Sequence, residues 1–334
     1  MKGVYILAIE SSCDDTSASI IHDGTVLSNI VSVQTAHAEY GGVVPELASR
    51  EHQLHIVPVV DSAIKKAGIK KEQLTAIAFT KGPGLLGSLI VGVTFAKSMA
   101  MSLDIPLVDV HHMHAHVLAH MAELPHPNFP FLCLTVSGGH TQIVLVRSAH
   151  DMEILGQTID DAAGEAFDKV GKMLGLQYPA GPLVDKHAKL GEAVYPFTRS
   201  KVGELNFSFS GLKTSVLYFL RDKIKEDPTF IERERDNICA SVQATIIDML
   251  MHKLEKAAEQ TGIKEIAIAG GVSANSGLRT TLEARGKELG WQTYIPAFQY
   301  CRDNAAMIGV AGYYKFLAGE FVGQDVTAEA RMKF

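Results

Sequence analysis

The sequence predicts an α/β protein built from two similar halves. Three observations carry that prediction. Short apolar runs and helical patterns follow one another in the order βββαβα, and the order occurs twice. Turns rich in small residues lie at matching places, at residues 10–16, 136–142 and 269–275. The chain has 334 residues, 47% apolar and 20% charged, enough for two ordinary globular cores.

Residues 4–11 form a continuous apolar run that ends in small residues, as a central strand does. Residues 17–21 are a second strand and 26–33 a third. Between them His22-Asp23-Gly24-Thr25 carries the Asp-Gly hairpin signal. Pro45 opens a helical pattern to about residue 66, with Leu47, Leu54, Val57, Val60 and Ile64 at helical spacing. Pro58 predicts a kink or a split in that helix. Residues 74–80 are a strand, Gly82-Pro83-Gly84 is a tight turn, and a helix follows to about residue 103. The stretch 85–103 is strongly apolar. It is cut by Lys97 and rich in Gly and Ser, so it reads as a buried helix and not a membrane span. A short strand through Val108 and Val110 leads into a helix over 113–121.

The second series begins with strands at 131–136, 141–146 and 152–157 and a helix at 164–174, with Phe167, Val170 and Leu174 inward. Residues 178–214 break the pattern with Pro179, Gly181, Pro182 and Pro196. Helices at 216–225 and 231–260, a strand at 265–269, the Gly270-Gly271 turn, a helix at 274–289, a strand at 293–295 and a last helix at 303–317 complete the chain. The expected domains are residues 1–128, with the last helix (303–320) packing back on them, and 129–302, with an insertion at about 178–214. Two such halves facing across a cleft form the actin/Hsp70/sugar-kinase-like (ASKHA) fold.

Net charge is −6, so bulk charge does not advertise nucleic-acid binding. Lys65, Lys66, Lys70, Lys71 and the group Arg199, Lys201, Lys213, Arg221, Lys223 and Lys225 either make local basic patches or solvate helix faces. The four cysteines are scattered without a C-x-x-C, and no signal peptide is visible, which predicts reduced thiols in the cytoplasm.

Six of the 14 histidines, His111, His112, His114, His116, His120 and His126, crowd one short window. His112 and His116 are four apart on a predicted helix and share a face. Such a pair either grips a first-row metal or hydrogen-bonds locally. The zinc-protease pattern His-Glu-x-x-His is missing, because Met113 follows His112. A third ligand must come from elsewhere. Asp303 is either the N-cap of the last helix or, if that helix returns to the first half, the carboxylate that completes a His-His-Asp site.

In a two-lobed fold of this kind a nucleotide's phosphates sit among backbone N–H groups of small-residue loops. Glu10-Ser-Ser-Cys-Asp-Asp-Thr16 and Val136-Ser-Gly-Gly-His-Thr-Gln142 occupy those places, and Ala269-Gly-Gly-Val-Ser-Ala-Asn275 precedes a helix N-terminus. Asp14 and then Glu10 are candidates to accept a proton in the first loop.

These motifs, with Gly41-Gly-Val-Val-Pro-Glu-Leu-Ala-Ser-Arg50, His111-His-Met-x-x-His116, Asp160-Asp-Ala-Ala-Gly-Glu-Ala-Phe-Asp-Lys169, Ser208-Phe-Ser-Gly-Leu-Lys-Thr214 and Asp303-Asn304, run nearly end to end. Together they resemble the bacterial (TsaD) branch of the Kae/Qri/Gcp family. That resemblance implies a transferase that moves threonylcarbamoyl from threonylcarbamoyl-AMP to the N6 amine of the adenosine 3′ of the anticodon, in tRNAs reading codons that begin with A. It implies metal ligands at His112, His116 and Asp303, holding one divalent ion, iron first and zinc as the alternative. It implies an adenylate site at Thr135, Val136, Ser137, Gly138, Gly139, Asp168, Gly181, Asp185 and Asn275. The implied partners are tRNA, a TsaB-like paralogue forming a heterodimer and a TsaE-like P-loop ATPase, with no membrane. Ser11 and Asp15 depart mildly from the family's first motif, and His114 adds a competing ligand within the metal motif. The rival readings on this fold are a small-molecule kinase and an actin-like ATP-binding assembly protein.

Overall fold

A computed structural model describes residues 3–200 and 202–334. The chain divides into two compact units, Met1–His126 with Pro296–Phe334, and Pro127–Ile295.

The first unit opens with β1 (Tyr5–Glu10), β2 (Asp15–His22) and β3 (Thr25–Val33), an antiparallel meander. Asp23 (φ 47°) and Gly24 (φ 82°) both turn left-handed, which the twist of a two-residue hairpin requires. Helix α1 (Pro45–Lys66), strand β4 (Ala76–Gly82), helix α2 (Leu86–Leu103) and strand β5 (Leu107–His111) follow. The sheet order is β3-β2-β1-β4-β5, with β1, β4 and β5 parallel. Leu7, Ile9 and Ile20 of the sheet pack with Ile56 and Val60 of α1 and Val93 and Ala96 of α2.

Helix α1 runs unbroken through Pro58. It is not split there, and Pro58 lies on the solvent face. The carbonyl its ring orphans belongs to Leu54, which is 68% exposed, so water can satisfy it. Helix α2 is also not the wholly buried helix the sequence suggests. Ser88, Leu89, Val93, Ala96 and Ala100 face inward, whereas Leu86, Ile90 and Met101 face out. Among the described residues it is the one helix long and apolar enough to cross a membrane.

Helix α3 (His112–Leu118) begins directly at the end of β5, then tightens into a 3-10 turn at Ala119–Ala122. His120 therefore leaves the stripe that a single longer helix would have given it.

The second unit repeats the plan. Strands β6 (Phe131–Val136), β7 (Thr141–Ser148) and β8 (Asp151–Gln157) form a meander. Helices α4 (Ala163–Met173), α5 (Gly181–Ala188), α6 (Ser210–Glu226) and α7 (Phe230–Thr261) come next, then β9 (Glu265–Ala269), α8 (Ser276–Leu289) and β10 (Gln292–Tyr294). The sheet order is β10-β9-β6-β7-β8, with β6, β9 and β10 parallel. Each sheet is thus a meander extended by two parallel strands, and the duplicated α/β architecture read from the sequence is present.

Helix α6 starts six residues before the expected residue 216. Its leading N–H groups are capped from far along the chain. Asp160 Oδ1 accepts from Phe209 N (2.8 Å) and Ser210 N (3.4 Å), and Ser208 Oγ donates to Oδ2 (2.5 Å). These donors hold the Asp160 carboxyl below its usual range, against the opposing effect of partial burial. Asp160→Ala removes this long-range cap. A loss of about 1–2 kcal/mol is expected, read as a lower midpoint in thermal unfolding.

After β10 the chain re-enters the first unit through α9 (Phe298–Cys301) and α10 (Ala305–Leu317). Helix α10 lies flat on the first sheet because it presents glycines there. A Cβ on Gly309 would stand 2.4 Å from Ile21, and one on Gly312 2.6 Å from Ala78.

Candidate functional site

Helix geometry puts His112 and His116 on one side of α3, their rings 4.7 Å apart and perpendicular at 89°. Both are buried. Asp303 Oδ1 lies 3.2 Å from His116 Nε2 and 3.6 Å from His112 Nε2. The three ligand atoms fall within 4.8 Å of one another. Asp303 is available because it is not a cap. Helix α10 begins at Ala305, and Asn304 caps it by accepting from Met307 N at 3.1 Å.

Behind His112 sits Glu10, fully buried at the end of β1. Its Oε2 is 3.1 Å from His112 Nδ1 and accepts from Thr80 Oγ1 at 2.6 Å, while Oε1 accepts from Ser12 N at 2.5 Å. Ser12 Oγ also reaches His112 Nδ1, at 3.2 Å. Glu10 therefore faces inward with both oxygens engaged. It orients a histidine. Of the two acids, Asp14 is the half-exposed one.

Burial alone would push the His112 imidazole down, but the carboxylates of Glu10 and Asp303 override it and raise it to about 9. Burial would raise Asp303, yet His112 and His116 hold it below the ordinary carboxylate range. Burial lifts Asp15 to about 7, only partly countered by Arg302 at 3.0 Å. The surroundings thus call for positive charge. Two imidazole nitrogens and a carboxylate oxygen fit a divalent first-row metal with positions left open. Among the described residues no second group of three such ligands occurs. His112 with its Glu10 partner has the form of a carboxylate–histidine–metal relay. Glu10→Gln is expected to weaken metal binding roughly 10–100-fold, measured by calorimetric titration with zinc.

In the second unit Thr135 and Val136 are buried at the end of β6 and start the turn. Ser137 N donates to His140 O (2.8 Å), closing the hairpin around Gly138 and Gly139. A Cβ on either glycine would meet nothing within 4 Å. Gly270 (φ +85°) backs onto this turn, its notional Cβ 2.4 Å from Val136 O, and Gly271 beside it again faces open space. Gly164 at the start of α4 would put a Cβ 2.6 Å from Ser137 O. Two open glycine turns and a helix start therefore converge.

The other expected adenylate residues brace that convergence. Asp168 Oδ1 accepts from Ala180 N (2.8 Å) and Gly181 N (3.1 Å) at the start of α5. Burial pushes the Asp168 carboxyl up, against those two donors. Asp185 Oδ1 accepts from Ser276 N (3.2 Å) and Ser276 Oγ (2.7 Å). Asn275 caps α8 through Leu278 N (3.0 Å) and donates to Gln243 Oε1 (2.7 Å). A groove of about 560 Å³ runs past Ala188, Asp248, Met251 and Arg285; Arg199 and Gln243 line it, but none of the expected adenylate residues does.

The sequence reading passed over Ser12, Thr80 and Gln243. Thr80 was in principle findable: parallel register pairs Ile9 with Phe79, which sets Glu10 beside Thr80. Lys66, Lys70 and Lys71 are exposed, whereas several of the other basic residues are paired. Lys65 pairs with Asp61, Arg199 with Asp248, Lys213 with Asp161, Arg221 and Lys225 with Asp222, and Lys223 with Glu226. Lys201 lies outside the described residues.

Comparison with known proteins adds to this geometry. The family model for TsaD, tRNA N6-adenosine threonylcarbamoyltransferase, matches residues 25–310. The tRNA N6-adenosine threonylcarbamoyltransferase of Porphyromonas gingivalis is 57% identical over 337 residues, covering 99% of each chain. That of Christiangramia forsetii is 56% identical over 335 residues, covering 99% of this chain and 98% of its own. Among solved structures, full-length HypF in its phosphate- and nucleotide-bound form matches with a TM-score of 0.61 at 15% identity, over 94% of this chain and 46% of its own. Component A of the Acidaminococcus fermentans (R)-2-hydroxyglutaryl-CoA dehydratase matches with a TM-score of 0.53 at 16% identity, over 93% of this chain and 98% of its own. At such identities the likeness is one of fold.

Proposed function

The chain belongs to the TsaD family of tRNA N6-adenosine threonylcarbamoyltransferases, and from that premise we propose that it transfers threonylcarbamoyl from threonylcarbamoyl-AMP to the N6 amine of the adenosine 3′ of the anticodon, in tRNAs reading codons that begin with A. The observation that carries the reading beyond the family is the His112–His116–Asp303 cluster with Glu10 behind it. A sugar-type kinase or an actin-like assembly protein of this fold has no use for it.

His112, His116 and Asp303 would hold one divalent ion, iron in first place and zinc as the alternative. When bound, it supplies Lewis acidity toward the oxygens of the donor substrate. Glu10, Ser12 and Thr80 fix the His112 ring. The backbone N–H groups of Gly138 and Gly139 and the Gly270-Gly271 turn hold the AMP phosphate, where open glycine faces admit close approach, while the Ser137 N–H closes the hairpin behind them. Asp168, Gly181, Asp185 and Asn275 set the helix starts that border the adenosine.

An adenine amine is a poor nucleophile, since its lone pair is delocalised into the ring. Orienting it against the carbamoyl carbon can supply about 7–11 kcal/mol. The new N–C bond forms as the C–O bond to the phosphate breaks, and AMP leaves with that electron pair. Half-exposed Asp14 takes the amine proton.

The partners we assign are tRNA, a TsaB-like paralogue and a TsaE-like P-loop ATPase, in the cytoplasm. The paralogue is assigned to the outer faces of α1 and α2, where Leu54, Val57, Leu86, Ile90 and Met101 stand exposed on neighbouring helices. Exposed large apolar side chains gathered on two packed helices suit an interaction surface. The test is to incubate the protein with prepared threonylcarbamoyl-AMP and unmodified tRNA, with and without partners, and to analyse the digested tRNA by mass. Threonylcarbamoyl-adenosine is the expected product. Its absence under every combination, in metal-loaded protein, would sink the proposal.

A further inference from the structure

We infer that the segment 329–334 positions the α3 metal helix, with Phe334 as the positioning residue, so that metal affinity depends on a side chain that touches none of the ligands. The inference rests on the metal reading of His112, His116 and Asp303.

The segment is tied to the metal site along two routes. On the first, Glu329 N donates to Lys81 O (2.8 Å), and Gly84 N donates to Ala330 O (3.2 Å). The approach to β4 is so close that a Cβ on Gly82 would stand 1.9 Å from Glu329 O. The residue after Gly84, Leu85, donates from its N to Ser12 O (2.7 Å), and Ser12 Oγ is 3.2 Å from His112 Nδ1. A chain of four short contacts thus joins the segment to a ligand.

On the second route, the Phe334 ring stands edge-on to His114 (4.4 Å between centroids) and to His111 (5.6 Å). Those two histidines stack on each other at 4.5 Å. His111 is the N-cap of α3, its Nδ1 accepting from Met113 N at 3.1 Å. That bond fixes the tautomer, with the ring hydrogen on Nε2. On its far side the His111 ring meets the backbone of Met332 and Lys333, and histidine is not a residue that helix N-caps favour. The segment 329–334 therefore holds the cap, through that backbone and through the packed ring of Phe334. Helix α3 has seven residues, too few to hold its own register. A rotation of the cap passes directly to His112, the next residue.

Cobalt(II) reports both affinity and ligand geometry, the latter through its visible absorption. The experiment titrates cobalt into the full chain as wild type, Phe334→Ala, Phe334→Tyr and His116→Ala, with thermal unfolding of each in parallel. Wild type should bind and His116→Ala should not. Phe334→Ala should bind about tenfold more weakly, with a changed absorption envelope, as supporting residues around metal ligands do. Phe334→Tyr should restore both, and the unfolding midpoint should move little. Gly82→Ala, which pushes the segment off from its other end, should weaken cobalt binding in the same way. Wild-type affinity and spectrum in both Phe334→Ala and Gly82→Ala would overturn the inference. So would failure of Phe334→Tyr to recover, or a loss that simply tracks the midpoint. If wild type binds no cobalt, or His116→Ala binds it equally well, the metal reading itself fails, and that result is distinct from the others.

Discussion

Replacing His116 by alanine should lower threonylcarbamoyl transfer on the order of 10²–10³-fold, the range for removing one charge-stabilising group from a reaction centre. His116 is almost fully buried, and its Nε2 touches only Asp303 in this site. The variant thus loses a ligand with little collateral damage. His112→Ala should be as inactive but also less stable. It strips a partner from Glu10, a fully buried carboxylate. Breaking a buried ion pair costs about 3–5 kcal/mol. The low end applies here, since Thr80 and Ser12 still donate to Glu10. The measurement is product formation beside thermal unfolding for both variants. Transfer by His116→Ala at near wild-type rate would remove the metal from the reaction.

Gly270→Ala is the second large effect, and it acts on the other unit. The residue sits at φ +85°, and a Cβ would come 2.4 Å from Val136 O. Left-handed strain for a non-glycine costs about 1–3 kcal/mol, and the contact must also open. The two glycine turns then part. The expected outcome is a lower unfolding midpoint together with at least about tenfold weaker AMP binding, a loss of some 1.4 kcal/mol. Gly271→Ala separates the two effects, because nothing lies within 4 Å of its Cβ. It should leave stability alone and still weaken AMP binding, as the methyl would enter the space given to the phosphate. Calorimetric titration with AMP distinguishes the pair. Unchanged AMP affinity in both variants would move the adenylate away from these turns.

Much of the fold is legible in local signals along the chain. Hydrophobic period and turn residues placed both meanders, and the i, i+4 spacing found the paired histidines. What stayed illegible was set by contacts between distant residues. The true start of α6 depends on Asp160, about 50 positions away, so no window around residue 210 could announce it. Asp303 and Asn304 are adjacent polar residues with equal claims to cap a helix, and only the fold decides that Asn304 does so. Glu10 looked like a reactive acid because its loop is rich in acids. Its direction was fixed by strand register, which sets it against Thr80 and His112. Pro58 does not split its helix, because solvent around Leu54 can satisfy the carbonyl it orphans.

The return of the chain to the first sheet through α10 bears on how the protein is made. Residues 127–295 are contiguous and carry their own core, so that body can close while the ribosome is still translating. The N-terminal body cannot. One face of its sheet, at Ala8, Ile21 and Ala78, has no cover until Gly309 and Gly312 have emerged. Asp303 arrives with the same segment. The N-terminal body is therefore the later of the two to mature, and its histidines wait for their carboxylate until residue 303 has emerged. Pairing over such long sequence separations carries a large loop-closure cost, which slows this stage of folding relative to local pairing.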